Sequence, residues 1–262
     1  MKRIINWRVF FILWIASILG TIAVLPYALE LQSSALEQLD LPIPLPVLLA
    51  IQIIQSGLIF GVITFLGMVL AKRIGLGTPI LESVTRGESI SDKVRAILPI
   101  SVGLGIFASI LIIGLDVFVF QPALIQELGD QANAINQTAQ PAAWKGFLAS
   151  FYGGITEEIL LRLFVMSLLA WLGSFIVKPV NGKANINILW IANILAAILF
   201  GVGHLPAASL ILPLTTLFVI RVILLNAIGG IVFGWLYQTR GLESAMLAHF
   251  SADIVLHVLF AI

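Results

Sequence analysis

Long apolar runs separated by short polar stretches organise this chain. They fall at about 9–29, 47–71, 96–120, 144–172, 188–206, 212–237 and 242–262. Each is close to the roughly 20 residues that an α-helix needs to cross a bilayer. Their unbroken Leu and Ile stretches argue for helices over the short alternating segments of a closed barrel. The pattern predicts an all-α fold, a polytopic membrane bundle of about seven transmembrane helices. The first run exceeds the roughly 7–15 apolar residues of a signal peptide and reads as a retained helix. Between the second and third runs, Ser89 and Asp92 have the spacing of a cap for a short interfacial helix.

Composition strengthens the membrane reading. The 262 residues are 60% hydrophobic and 10% charged, with a mean hydropathy of +1.10, which excludes an ordinary soluble domain. Cysteine is absent, so disulfides, thiolate metal sites and a cysteine nucleophile are excluded too. The expected surroundings are the lipid bilayer, with no nucleic-acid partner.

Charge then orients the bundle. Lys2, Arg3 and Arg8 precede the first run, Lys72, Arg73, Arg86, Lys93 and Arg95 lie between the second and third, Lys178 and Lys183 follow the fourth, and Arg240 precedes the last. The alternate connections carry Glu30, Glu37 and Asp40, then Glu127 and Asp130. By the positive-inside rule this predicts a cytoplasmic N-terminus, seven crossings and an external C-terminus. Asp116 is the one ionisable residue of the first three spans. The sequence therefore divides into a scaffold at 1–143 and a functional core at 144–262.

The core holds the chemistry. Thr156 to Arg162 reads TEEILLR inside a membrane span, and charges placed in hydrocarbon are by default a functional-site hypothesis. Glu158 and Arg162 are four apart and share a helix face, so they can pair; Glu157 is rotated about 100° away and stays available. A desolvated carboxylate suits a general base acting on water. The alternative from these residues alone is that the charges lock helices together. All three histidines of the chain lie in the same half. His204 follows Phe200 by four in the fifth span, and His249, Asp253 and His257 recur every four residues in the seventh. At about 1.5 Å per residue their depths overlap with that of Glu157.

The order Glu157-Glu158-x-x-x-Arg162, Phe200-x-x-x-His204 and His249-x-x-x-Asp253, each motif on its own span, resembles the CPBP intramembrane proteases. These are the CAAX-processing endopeptidases and their bacteriocin-processing relatives, also called the Abi group. The resemblance covers about 144–262. It implies hydrolysis of a peptide bond in a membrane-associated protein or peptide, with Glu157 activating water with help from His204 and His249 with the residue at 253 stabilising the oxyanion. Glu158 and Arg162 would support the site, and Phe200 would pack beside it.

Two points stay open at the level of sequence. Glu157, His204 and His249 are candidate ligands of a divalent metal such as zinc, yet no His-Glu-x-x-His zinc helix is present and a metal-free pair is equally compatible. CAAX enzymes tend to have Asn at the last motif position, where this chain has Asp253. A carboxylate donates no hydrogen bond unless protonated, so Asp253 stays neutral, orients His249 or binds a cation. The rival function is a proton- or ion-coupled transporter using buried Glu, His and Arg, with Asp116 and Arg221 in its path. A non-catalytic membrane scaffold or immunity protein is the third.

Overall fold

The computed structural model describes residues 5–33, 43–132 and 141–260. Lys2, Arg3, Glu37 and Asp40, which entered the charge pattern, lie outside the described residues. The described chain is helical, with one isolated bridge between Val180 and Lys183. That bridge closes a tight Asn181-Gly182 turn, with both central φ values positive at 50° and 75°, the geometry that this dipeptide favours.

Helix α1 spans Trp7–Leu31, α2 Leu45–Arg73 and the short α3 Pro79–Thr85. Helix α4, Ser91–Leu115, runs on through a π-helical turn, Asp116–Phe120, into α5, Gln121–Leu128. The fourth span begins as α6, Ala143–Phe151, widens into π-helical turns at Tyr152–Glu157 and Ile159–Met166, and ends as α7, Ser167–Gly173. Helices α8, Ile186–Ala208, and α9, Thr216–Arg240, follow. Helix α10, Leu242–Asp253, closes with a π turn at Ile254–Leu259. Six of these segments are long and apolar enough to cross a membrane. The fourth span is continuous but mixed in helix type and carries Glu157, Glu158 and Arg162. The expectation of a multi-pass bundle of about seven helices stands, and the protein is an integral membrane protein.

The ends of the helices are marked by their caps. Asn6 accepts from the backbone of Arg8 and Val9 at the start of α1, and Thr215 accepts from Phe218 N at the start of α9. The Ser89-x-x-Asp92 spacing does not cap a helix. Helix α4 starts at Ser91 without a side-chain cap, and the short helix is α3, further upstream. Its first-turn amides, Ile80 N and Leu81 N, donate to Glu243 Oε1 at 2.9 and 2.8 Å. A carboxylate from another helix thus takes the capping role that the local sequence lacks.

Cross-contacts sort the helix ends into two layers. At one end Asn6 Nδ2 donates to Thr85 Oγ1 (2.7 Å), Ala184 N to Ile74 O (3.0 Å) and Leu242 N to Gly77 O (3.0 Å). At the other, Lys145 pairs with Glu30 (2.5 Å), Thr215 Oγ1 donates to Glu127 (3.2 Å) and Tyr27 meets His257 (3.2 Å). The main hydrophobic core fills the first half. It joins Val9 and Leu13 of α1, Ala71 and Ile74 near the end of α2, Leu163 and Met166 of the fourth span, and Leu236, Tyr237 and Leu242 around the α9–α10 corner. Small residues set its close approaches: Gly67 faces the Leu163 backbone and Gly230 faces Ala197, where a Cβ would stand 2.9 and 2.8 Å from the neighbouring atoms.

Candidate functional site

The two adjacent glutamates have different surroundings. Glu158 is fully buried, its Oε2 3.2 Å from Arg162 Nε. The contact is close but not aligned as a hydrogen bond, so it is an ion pair. Arg162, 1% exposed, also donates from Nη2 to Gly230 O at 3.0 Å. Its guanidinium lies over the rings of Phe200 and Phe233, at 5.5 and 5.6 Å. Such cation–π contacts are worth about 0.5–2 kcal/mol each when desolvated. Glu158 Oε1 has a second partner that helix spacing did not reveal: it accepts from His249 Nδ1 at 2.8 Å.

That bond sets the chemistry of His249. A carboxylate only accepts, so Nδ1 carries hydrogen. Nε2 points instead toward Asp253 Oδ1 at 3.5 Å and Glu157 Oε2 at 3.7 Å. The ring stacks on Phe233, with centroids 4.5 Å apart and planes inclined by 19°, and meets Phe200 edge-on at 5.6 Å. Packing and hydrogen bonding together hold the imidazole in one orientation.

Glu157 keeps 19% of its side chain exposed and faces a cavity of about 760 Å³. Phe200, His204, His249 and Asp253 line the same cavity. His204 Nδ1 donates to Phe200 O, one turn back on α8, at 2.8 Å. Since a carbonyl oxygen also only accepts, His204 Nε2 is the nitrogen left free to accept a proton. The His204 ring sits perpendicular to Phe200 at 4.7 Å. In the π turn after α10, His257 lines the cavity as well. Its Nδ1 meets the Tyr27 hydroxyl at 3.2 Å, and its Nε2 lies 3.9 Å from Asp253 Oδ1.

The floor of the site depends on a missing side chain. A Cβ on Gly153 would strike Asp253 Oδ2 and stand 3.1 Å from His249 Nε2. Glycine here lets the π-helical turn that carries Glu157 approach α10, and conversely holds His249 and Asp253 close to the fourth span.

Glu157, Phe200, His204, His249 and Asp253, all singled out by sequence, thus share one cavity with His257, and Glu158 and Arg162 stand behind it. Sequence reasoning did not find Tyr27, Phe233 or Gly153 as parts of the site, since an aromatic or a glycine in a membrane helix has no local signature of what it faces. Asp116 and Arg221 also line the cavity, but they close on each other through two hydrogen bonds of 2.5 and 2.7 Å. Of three amide side chains in the last spans, Asn193 bridges two helices through Ile231 O. Asn226 instead bonds Val222 O of its own helix. The Gln238 amide atoms have no partner among the described residues.

As a ligand set for a metal the site does not fit: among the described residues, no three His, Asp or Glu side chains are grouped to hold an ion. Residues 139–255 match the family described as type II CAAX prenyl endopeptidase Rce1-like, which belongs to the CPBP family. No curated protein and no solved structure gives a match.

Proposed function

We propose that this integral membrane protein, whose residues 139–255 match the Rce1-like endopeptidase family, is an intramembrane protease acting on a membrane-associated protein, with Glu157 as its general base. The observation that carries this assignment is the unequal fate of two neighbouring carboxylates. Glu158 is committed to Arg162 and His249, whereas Glu157 reaches open space beside two histidines.

In the proposed reaction a water lies between Glu157 and His204 Nε2. Glu157 takes its proton as the water oxygen attacks the scissile carbonyl carbon, and His204 orients the water through its free lone pair. The carbonyl oxygen becomes an oxyanion beside His249. Nε2 of that ring donates to the oxyanion only as imidazolium, because Nδ1 is already spent on Glu158. The carboxyl groups of Glu158 and Asp253 beside the ring favour the charged form of the imidazole. Asp253 therefore serves as the partner of His249 and need not donate a hydrogen bond itself. Collapse of the tetrahedral intermediate breaks the C–N bond, and the proton held by Glu157 passes to the leaving amine. Arg162, held by Gly230 O and two aromatic faces, holds Glu158 in place.

The test is cleavage of a membrane-associated peptide by purified protein in detergent or bilayers. Wild type is expected to cut and Glu157→Gln to be silent. Full activity in Glu157→Gln would rule out this base, and proton-coupled flux without proteolysis would favour a transporter.

A further inference from the structure

The cavity is not centred in the bundle. Most of its lining comes from the helix halves remote from the basic loops, and Gly229, Phe233 and His249 close its deep end near mid-span. Gln32 follows the end of α1, Gln121 follows the π turn after α4, Leu210 follows α8, Arg221 lies in the second turn of α9, and His257 is near the end of the last span. On the fourth span the lining residues are Ala149, Tyr152, Gly153 and Glu157, toward the end where Lys145 pairs with Glu30.

The other half is closed. Beyond Glu158 and Arg162 the space between the helices is filled by Leu163, Met166, Ala170, Leu236 and Ala245, all fully buried. This plug lies between the site and the end that carries Arg8, Lys72, Arg73, Arg86, Lys183 and Arg240. Charge distinguishes the two ends further. The two cations within the cavity half, Lys145 and Arg221, each have a carboxylate partner, at 2.5 Å in both cases. They leave that end without a surplus of positive charge, as the side away from the cytoplasm requires. The cavity wall there carries polar residues amid a mainly apolar lining, among them Gln32, Gln121 and Asn226 and the Asp116–Arg221 pair.

From these observations we infer that the catalytic cavity opens on the face opposite the basic loops, so that the peptide is taken from the non-cytoplasmic side of the membrane. The part of this inference that concerns a peptide rests on the protease reading above; the direction of access does not. The cleaved segment is then one that reaches the external leaflet. A tail confined to the cytoplasmic surface would meet the packed end of the bundle.

The absence of cysteine makes a direct test clean, since one introduced thiol is the only one. Asn226→Cys and Gln121→Cys place it in the cavity wall, Leu210→Cys at the cavity end and Val180→Cys in the turn at the opposite end. Each full-length variant, checked for membrane insertion and wild-type thermal unfolding, is placed in right-side-out and inside-out vesicles and treated with a charged, membrane-impermeant thiosulfonate, which needs a water path to react. Asn226→Cys, Gln121→Cys and Leu210→Cys are expected to react about tenfold faster in right-side-out vesicles, and Val180→Cys about tenfold faster in inside-out ones. Faster reaction of the two cavity cysteines in inside-out vesicles would overturn the inference. So would their failure to react from either face while Leu210→Cys reacts. Labelling needs no proteolysis: if the wild type cleaves nothing, the protease reading fails while the direction of access is still read.

Discussion

Glu158 and His249, 91 positions apart in sequence, are joined by a hydrogen bond of 2.8 Å from Nδ1 to Oε1. The bond links the fourth span to the last and fixes which nitrogen of His249 faces the cavity. It also means that Glu158 has two duties, one toward Arg162 and one toward the imidazole.

The first prediction follows from that double duty. Glu157→Gln keeps volume and loses the base, so folding stays near wild type while turnover disappears. Glu158→Ala leaves Arg162 buried without its carboxylate and is expected to destabilise by about 3–5 kcal/mol, as breaking a buried pair does. It also frees Nδ1 of His249, so turnover falls as well. Equal thermal stability of the two variants, measured by detergent-compatible unfolding, would contradict the division of roles.

The histidines should be separable from stability. His204→Ala and His249→Ala are each expected to lower turnover by about 10²–10³, the usual cost of losing one donor or orienting group at such a site. Chelation by EDTA is expected to leave turnover unchanged. Silencing by EDTA with recovery on adding zinc would show that the donors regroup around a metal.

Gly153 offers a test of packing at the site. Gly153→Ala forces a methyl group against Asp253 and His249 and should cost about 1–3 kcal/mol, the range of overpacking in a filled interior, with turnover falling further than stability alone explains. Gly103→Ala, where an added Cβ meets nothing within 4 Å, is the control. Similar behaviour of the two variants would mean that the fourth and last spans are not held as close as described.

Orientation can be read by reporter fusions. Junctions at 85 and 181 should report a cytoplasmic location, and those at 132 and the C-terminus an external one. A cytoplasmic signal from the fusion at 132 would invert the topology drawn from the basic loops.

Much of this architecture was legible in the sequence because hydrocarbon imposes simple demands. Apolar length gave the spans, Lys and Arg placement separated the two ends, and the cost of charge in lipid marked Glu157, Glu158 and Arg162. The i, i+4 spacing was enough to pair Glu158 with Arg162. Contacts between distant spans were not legible in the same way. Asp116 and Arg221 are 105 positions apart, and nothing in either local sequence names the other. The grip of Glu158 on His249 and the seat of that ring on Phe233 are likewise properties of assembled helices. The Ser89 pattern failed because the helix that follows it starts at Ser91 with Ile90 at the cap position, while the short helix lies upstream and takes its capping carboxylate from distant Glu243.

The wide helical turns that flank Glu158 have a consequence for how the site can change over generations. A π turn holds an extra residue while its carbonyls remain bonded, which matters where no water can satisfy a freed backbone group. Loss of one codon between Tyr152 and Met166 could thus be absorbed by exchanging a π turn for an α turn. The span would still cross the bilayer with its two ends in their former register, but residues inside the exchanged turn would shift by one position, about 100° around the axis, and Glu157 lies in such a turn. A single in-frame deletion can in this way leave a stable bundle with its chemistry switched off, an evolutionary route from protease to inert membrane protein that requires no change in any catalytic side chain.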